Sequence, residues 1–122
     1  MEHNISCFEK TITKGTSQCD LHGSWKLSSL LEALQDTANE HCRKLHVGRG
    51  DLVKEGLAWV LFKMDLEIDR YPKIDEKVSV KTFTKNCQFK FFPRYYVVTD
   101  EIGNQICRAG SLWMIMDTTT RN

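Results

Sequence analysis

The stretch Leu57-Ala58-Trp59-Val60-Leu61-Phe62-Lys63-Met64-Asp65-Leu66-Glu67-Ile68-Asp69-Arg70-Tyr71-Pro72 reads as one long strand that changes character along its length. From Met64 onward, Met64, Leu66 and Ile68 alternate with Asp65, Glu67 and Asp69. That is the period of two expected of a strand with one face buried and the other in water. Before Met64 both faces are apolar. Ala58, Val60 and Phe62 continue the first face, and Trp59 and Leu61 occupy the second. A strand buried on both sides before it emerges into solvent suits the wall of an apolar cavity.

Working outward, the elements on either side differ in kind. Residues 4 to 14 read as a first strand, and Gly15 to Ser24 as a loop rich in turn formers. Leu27, Leu30, Leu31, Leu34, Ala38, Cys42 and Leu45 then recur at spacings of three and four, drawing the stripe of one amphipathic helix. Ser28 and Ser29 offer start signals and Val47-Gly48 a stop. Asp51 to Glu55 suits a short helical turn. Beyond Gly56, the segments 57 to 70, 76 to 87, 88 to 100 and 104 to 117 are rich in valine, phenylalanine, tyrosine, threonine and isoleucine, and read as strands. Tyr71-Pro72 and the Asp100 to Asn104 hairpin signal separate them.

One helix with about five long strands has too few crossovers for a parallel sheet. The expected architecture is α+β: a hotdog fold, in which an antiparallel sheet wraps around a single long helix. The 122 residues have room for one such domain, 1–122. The exposed side of such a sheet needs cover, so a homodimer or a second hotdog repeat is expected.

Composition narrows the function. A net charge of +1 lacks the basic footprint of nucleic-acid binders. No run approaches a membrane span, and the first residues carry no signal pattern, so a cytoplasmic chain without membrane association is expected. Cys7, Cys19, Cys42, Cys87 and Cys107 are odd in number and contain no Cys-x-x-Cys pair, which points to reduced thiols and to neither a metal nor a cofactor.

Three segments bear on identity: Leu34-Gln35-Asp36-Thr37-Ala38-Asn39-Glu40-His41, Ala58-Trp59-Val60 followed by Ile68-Asp69-Arg70-Tyr71-Pro72, and Arg108-Ala109-Gly110-Ser111-Leu112-Trp113-Met114-Ile115-Met116. Together they resemble the acyl-carrier-protein thioesterases of plants and bacteria, from about Phe8 to Arg121. The resemblance implies a hydrolase that releases fatty acid from acyl-carrier protein in fatty acid biosynthesis. It also implies two hotdog repeats, the first shaping the acyl cavity and the second carrying an Asp-x-Asn-x-His motif. This chain is similar to the first repeat. Its corresponding loop reads Asp20-Leu21-His22-Gly23-Ser24, matching that motif only at the aspartate. Single-repeat coenzyme A thioesterases with Asp-x-x-Gly-His are matched in all but the final histidine.

Thioester hydrolysis needs a base or nucleophile and donors for the developing oxyanion. Asp20 could serve as that base with His22 as its partner, and backbone amides around Gly23 to Lys26 as the donors. The same residues also read as a turn aspartate and a surface histidine. Asp36 is a second candidate carboxylate, or a solvated helix residue. Gln35 and Asn39 are expected to bond to neighbouring strand ends, and His41 to be structural or exposed. Trp59, Leu61, Phe62, Met64, Tyr95, Trp113 and Met114 are the candidates for an acyl-binding wall, with core packing as the alternative for each. Arg43, Lys44, Arg49 and Lys54 form a basic group suited to an acidic carrier protein, and Lys85, Lys90 and Arg94 form another. Acyl-carrier protein and a fatty acyl thioester are the partners implied. The alternatives are a non-catalytic acyl-binding module and an acyl-CoA thioesterase.

Overall fold

Five β-rich segments pair into one antiparallel sheet, and the long amphipathic helix covers one of its faces. In the computed structural model, which describes residues 7–87 and 89–120, the elements are β1 (Cys7–Ile12), α1 (Leu27–Lys44), α2 (Arg49–Lys54), β2 (Leu57–Ile68), β3 (Val78–Thr84), β4 (Phe92–Thr99) and β5 (Gln105–Asp117). The strand order is β1-β3-β4-β5-β2. This is the expected α+β hotdog arrangement. Residues 4 to 6 of the expected first strand, and Gln88, lie outside the described residues.

The core forms where the helix stripe meets alternate residues of the inner strands. Leu30, Ala33, Leu34 and Ala38 of α1 pack with Val78, Val80, Tyr96, Val98, Cys107 and Ala109, all buried. Burying each large aliphatic side chain here contributes about 1.5–3 kcal/mol. The buried stripe is rotated from the expected one. Leu27 and Leu31 are exposed, whereas Thr37 and His41 lie on the buried face.

The helix termini also differ. Lys26 precedes the first turn without a side-chain cap. Ser29 is buried and donates its hydroxyl to the Gln18 carbonyl, at 2.7 Å, instead of capping α1. The helix stops at Lys44, and His46, at φ 63°, makes the left-handed turn expected of Gly48. Gly48 instead starts α2, its amide donating to the Asp51 carboxylate at 3.0 Å.

A bulge in β2 overturns the expected assignment of its faces. Leu61 pairs with Trp113 and Lys63 with Leu112, leaving Phe62 as the extra residue. One inserted residue reverses the alternation. Met64, Leu66 and Ile68 pack against the core. It is Trp59 and Leu61, not Ala58, Val60 and Phe62, that share their face. The expected continuous strands 76 to 87 and 88 to 100 are shortened to β3 and β4 by a turn in which Phe89 takes φ 61°.

Candidate functional site

Between the C-terminal half of α1 and the sheet lies a cavity of about 220 Å³. Its roof is Gln35, Ala38, Asn39 and Cys42 of α1, with Leu45 and Val47 beyond. Its floor crosses the sheet from Thr84 on β3 through Phe92 and Arg94 on β4 to Trp113 and Ile115 on β5 and Trp59 on β2. Strand order therefore polarises the cavity. Arg94, Thr84 and Cys42 stand at one end, and the aromatic and aliphatic wall at the other.

The apolar end is rigid. The Trp59 indole donates to the Val47 carbonyl at 2.9 Å, tying β2 to the segment after α1. Its ring meets Phe92 edge-on at 5.3 Å and Trp113 at 6.4 Å. Such perpendicular contacts suit aromatic quadrupoles and fix the ring planes. Trp113 is held in turn by its indole donating to the Ser111 hydroxyl at 2.9 Å.

At the polar end, Gln35 donates to Asn39 at 3.1 Å, one helical turn away, rather than to a strand end. Arg94 is buried at 6% exposure on the helix-facing side of β4, which removes it from the expected surface basic group. Its Nη1 donates to His41 Nδ1 and Thr82 Oγ1, both at 2.9 Å. Because arginine only donates, His41 must present an unprotonated Nδ1. His41 is buried and stacked on Phe8 with centroids 5.8 Å apart. Arg94 Nη2 reaches Cys42 Sγ at 3.4 Å. Burial pushes the Cys42 thiol up, against the opposing pull of Arg94, which disfavours the thiolate.

No carboxylate or imidazole lines the cavity among the described residues. The expected catalytic loop is not brought to it. Asp20 is exposed, and its carboxylate accepts the amides of His22 at 2.8 Å and Ser24 at 3.0 Å, which hold it below the usual carboxylate range. His22 is exposed as well. All four amides from Gly23 to Lys26 are already engaged, with the Asp20 carbonyl, the Asp20 carboxylate, Pro72 and Gln18 respectively. They cannot serve as oxyanion donors in this arrangement. Asp36 is exposed and outside the lining.

The candidate acyl-binding residues divide. Trp59 and Trp113 line the cavity. Met64 packs against the core. Leu61 is exposed, and Phe62 at the bulge is exposed and packs on Phe91 at 5.0 Å. Tyr95 lies on the opposite face of the sheet, stacked on Phe83 at 5.6 Å. Its ring covers Gly110, where a Cβ would come within 3.3 Å of it. Met114 follows the register of Gly110 and Leu112 and lies outside the lining. Arg43 and Lys44 at the end of α1, and Arg49 and Lys54 on α2, are all exposed.

Ala38, Phe92 and Ile115 were missed as site residues, and Arg94 was read as a surface docking residue, although the signals for the cavity were present. Arg94 alternates in register with Phe92, Tyr96 and Val98, and Ala38 lies in the helix stripe.

A hotdog domain with an amphiphilic cavity between helix and sheet is the architecture of acyl-thioester-handling proteins. Residues 7–122 match the family model for the acyl-ACP thioesterase N-terminal domain, and the chain belongs to that family. The chloroplastic palmitoyl-acyl carrier protein thioesterase of Gossypium hirsutum is 32% identical over 102 residues, 78% of this chain and 25% of that one. An acyl-ACP thioesterase structure from Bacteroides thetaiotaomicron superposes with a TM-score of 0.92 at 26% identity, over 100% of this chain and 50% of that one. A DHNA-CoA thioesterase from Staphylococcus aureus shares the fold, with a TM-score of 0.85 at 16% identity over 95% of this chain and 78% of that one. The chain thus spans about a quarter of the curated relatives' length and half of the bacterial structure.

Proposed function

We propose that this chain is the acyl-binding hotdog unit of a thioesterase that releases fatty acid from acyl-carrier protein. The observation that carries the reading is the cavity itself: aromatic and aliphatic at one end, covered by α1, and without a carboxylate or imidazole in its lining among the described residues. An acyl chain lies along Trp59, Trp113 and Ile115, and the base comes from a second hotdog unit. That unit is either another copy of this chain or a further repeat, as the half coverage of the bacterial structure supports. Strand β2, at the sheet edge, is available for the pairing.

The exposed group Arg43, Lys44, Arg49 and Lys54 provides the docking surface for the acidic carrier protein. Five free thiols support our reading of a reducing, cytoplasmic setting, and no helix among the described residues is long and apolar enough to cross a membrane.

The test is a chain-length series of acyl-carrier-protein thioesters offered to the 122-residue protein, with acyl binding, hydrolysis and mass in solution measured together. Binding that depends on chain length is expected, with no turnover by a monomer; turnover by a dimer would identify the second unit as another copy of this chain. Turnover by a monomer, abolished by Asp20→Asn, would refute the assignment of the base to a second unit. Failure of every acyl chain to bind would refute the cavity's role. Hydrolysis that needs coenzyme A esters rather than carrier protein would refute the proposed partner.

A further inference from the structure

Among the described residues two charged side chains line the cavity: Lys85, which is exposed, and Arg94, which is buried. A buried guanidinium is ordinarily matched by an anion, because its desolvation is otherwise uncompensated. Among the described residues no carboxylate lies within ion-pair distance of Arg94, and its partners there are the neutral acceptors Thr82 and Cys42 and the unprotonated Nδ1 of His41.

A guanidinium carries five N–H groups in a fixed fork. Nη1 is fully used, by His41 and Thr82. Nη2 makes one long contact to sulfur. The Nε–H has no partner among the described residues, and Nε and Nη2 flank one edge of the planar group. That edge matches the two oxygens of a carboxylate.

We propose that the cavity binds an aliphatic carboxylate, its oxygens on the Nε/Nη2 edge of Arg94 and its chain running across Trp113 toward Trp59. The Nη1 bonds to His41 and Thr82 hold the guanidinium in plane for it, and Lys85 adds positive charge beside it. This deepens the proposed function and rests on the cavity taking an acyl chain. The carboxylate has two sources: the released fatty acid, or the distal end of a dicarboxylic acyl thioester.

The experiment titrates the 122-residue protein at neutral pH with octanoate, methyl octanoate and monomethyl suberate, followed by tryptophan fluorescence. Octanoate is expected to bind at least tenfold more tightly than its methyl ester, a ratio that Arg94→Gln reduces toward one. Equal binding of acid and ester by the unmutated protein overturns the carboxylate site while leaving the acyl cavity intact. That comparison needs no variant to fold. Binding of neither overturns the acyl cavity as well. Monomethyl suberate binding as well as octanoate assigns the site to a dicarboxylic acyl chain, and binding of octanoate alone assigns it to the released fatty acid.

Discussion

Ala38→Leu fills the cavity from its roof. Ala38 is 3% exposed on the buried face of α1 and belongs to the lining. Leucine is nearly as good a helix former as alanine, so the backbone of α1 is not perturbed. The substitution adds three carbon atoms to a space of about 220 Å³. An acyl chain that fills this space must withdraw a segment of similar size. At about 0.8 kcal/mol per buried methylene, the loss is about 2.4 kcal/mol, or roughly fifty-fold in Kd.

The assay titrates a homologous series of saturated acyl chains, each presented as a carrier-protein thioester, and reads the fluorescence of Trp59 and Trp113. The longest chain bound by the unmutated protein should weaken by that factor, while chains about three carbons shorter keep their affinity. The melting temperature should hold or rise, since the new side chain fills space rather than displacing neighbours. A fall in affinity equal across the series, with stability unchanged, would refute the placement of the chain beneath Ala38. A lowered melting temperature would mean that the space is not open to a side chain, overpacking costing about 1–3 kcal/mol.

The remaining predictions concern the loops and the surface. Arg70 grips Glu76 through two bonds, at 2.9 and 2.6 Å, and the Lys73 amide adds a third at 2.9 Å. Glu76→Gln should cost about 1–2 kcal/mol at neutral pH, below the full value of a charged hydrogen bond because Arg70 is partly exposed. The Arg70 bond is the main cause holding the Glu76 carboxyl below its ordinary value. Its stabilisation is therefore present above the unfolded-state pKa and lost as pH falls through the lower folded one. Urea melts of both proteins should converge in acid, and a gap that widened there would contradict the sign. Asp20→Ala should leave acyl binding unchanged and speed hydrogen exchange at the His22 and Ser24 amides; loss of acyl binding would show that the loop does more than turn the chain. Replacing Arg43 and Lys44 together by alanine should slow association with carrier protein and flatten its salt dependence while leaving octanoate binding intact, whereas an unchanged association rate would remove them from the docking surface.

The fold was legible because its elements are locally consistent. The Leu30-Leu34-Ala38 spacing admits only a helix, and the Met64-Leu66-Ile68 alternation only a strand. The misreadings share one physical origin. A bulge at Phe62 has no composition of its own, lacking glycine or proline, and it inverted the inferred faces of Trp59 and Leu61. Left-handed turns at His46 and Phe89 were hidden for the same reason, since both residues occupy backbone conformations ordinarily given to glycine.

The site was less legible because candidates were chosen by residue type rather than by face. Asp20, His22 and Asp36 attract notice as chemistry, yet each is exposed. Thr37 was given no role, His41 was read as structural or exposed and Arg94 as part of a surface basic group, although their register placed them inside: His41 follows Ala38 by three on the helix, and Arg94 precedes Tyr96 by two on the strand. A polar side chain on a buried face must find partners or serve a ligand. Thr37 returns its hydroxyl to the Ala33 carbonyl at 2.7 Å, one turn back in the same helix, and is satisfied. Arg94 has no partner for its Nε–H among the described residues and only a long contact from Nη2 to Cys42, and it lines a cavity whose far end is apolar. Parity and accounting of donors, applied together, separate the structural residue from the one we propose as a ligand's partner.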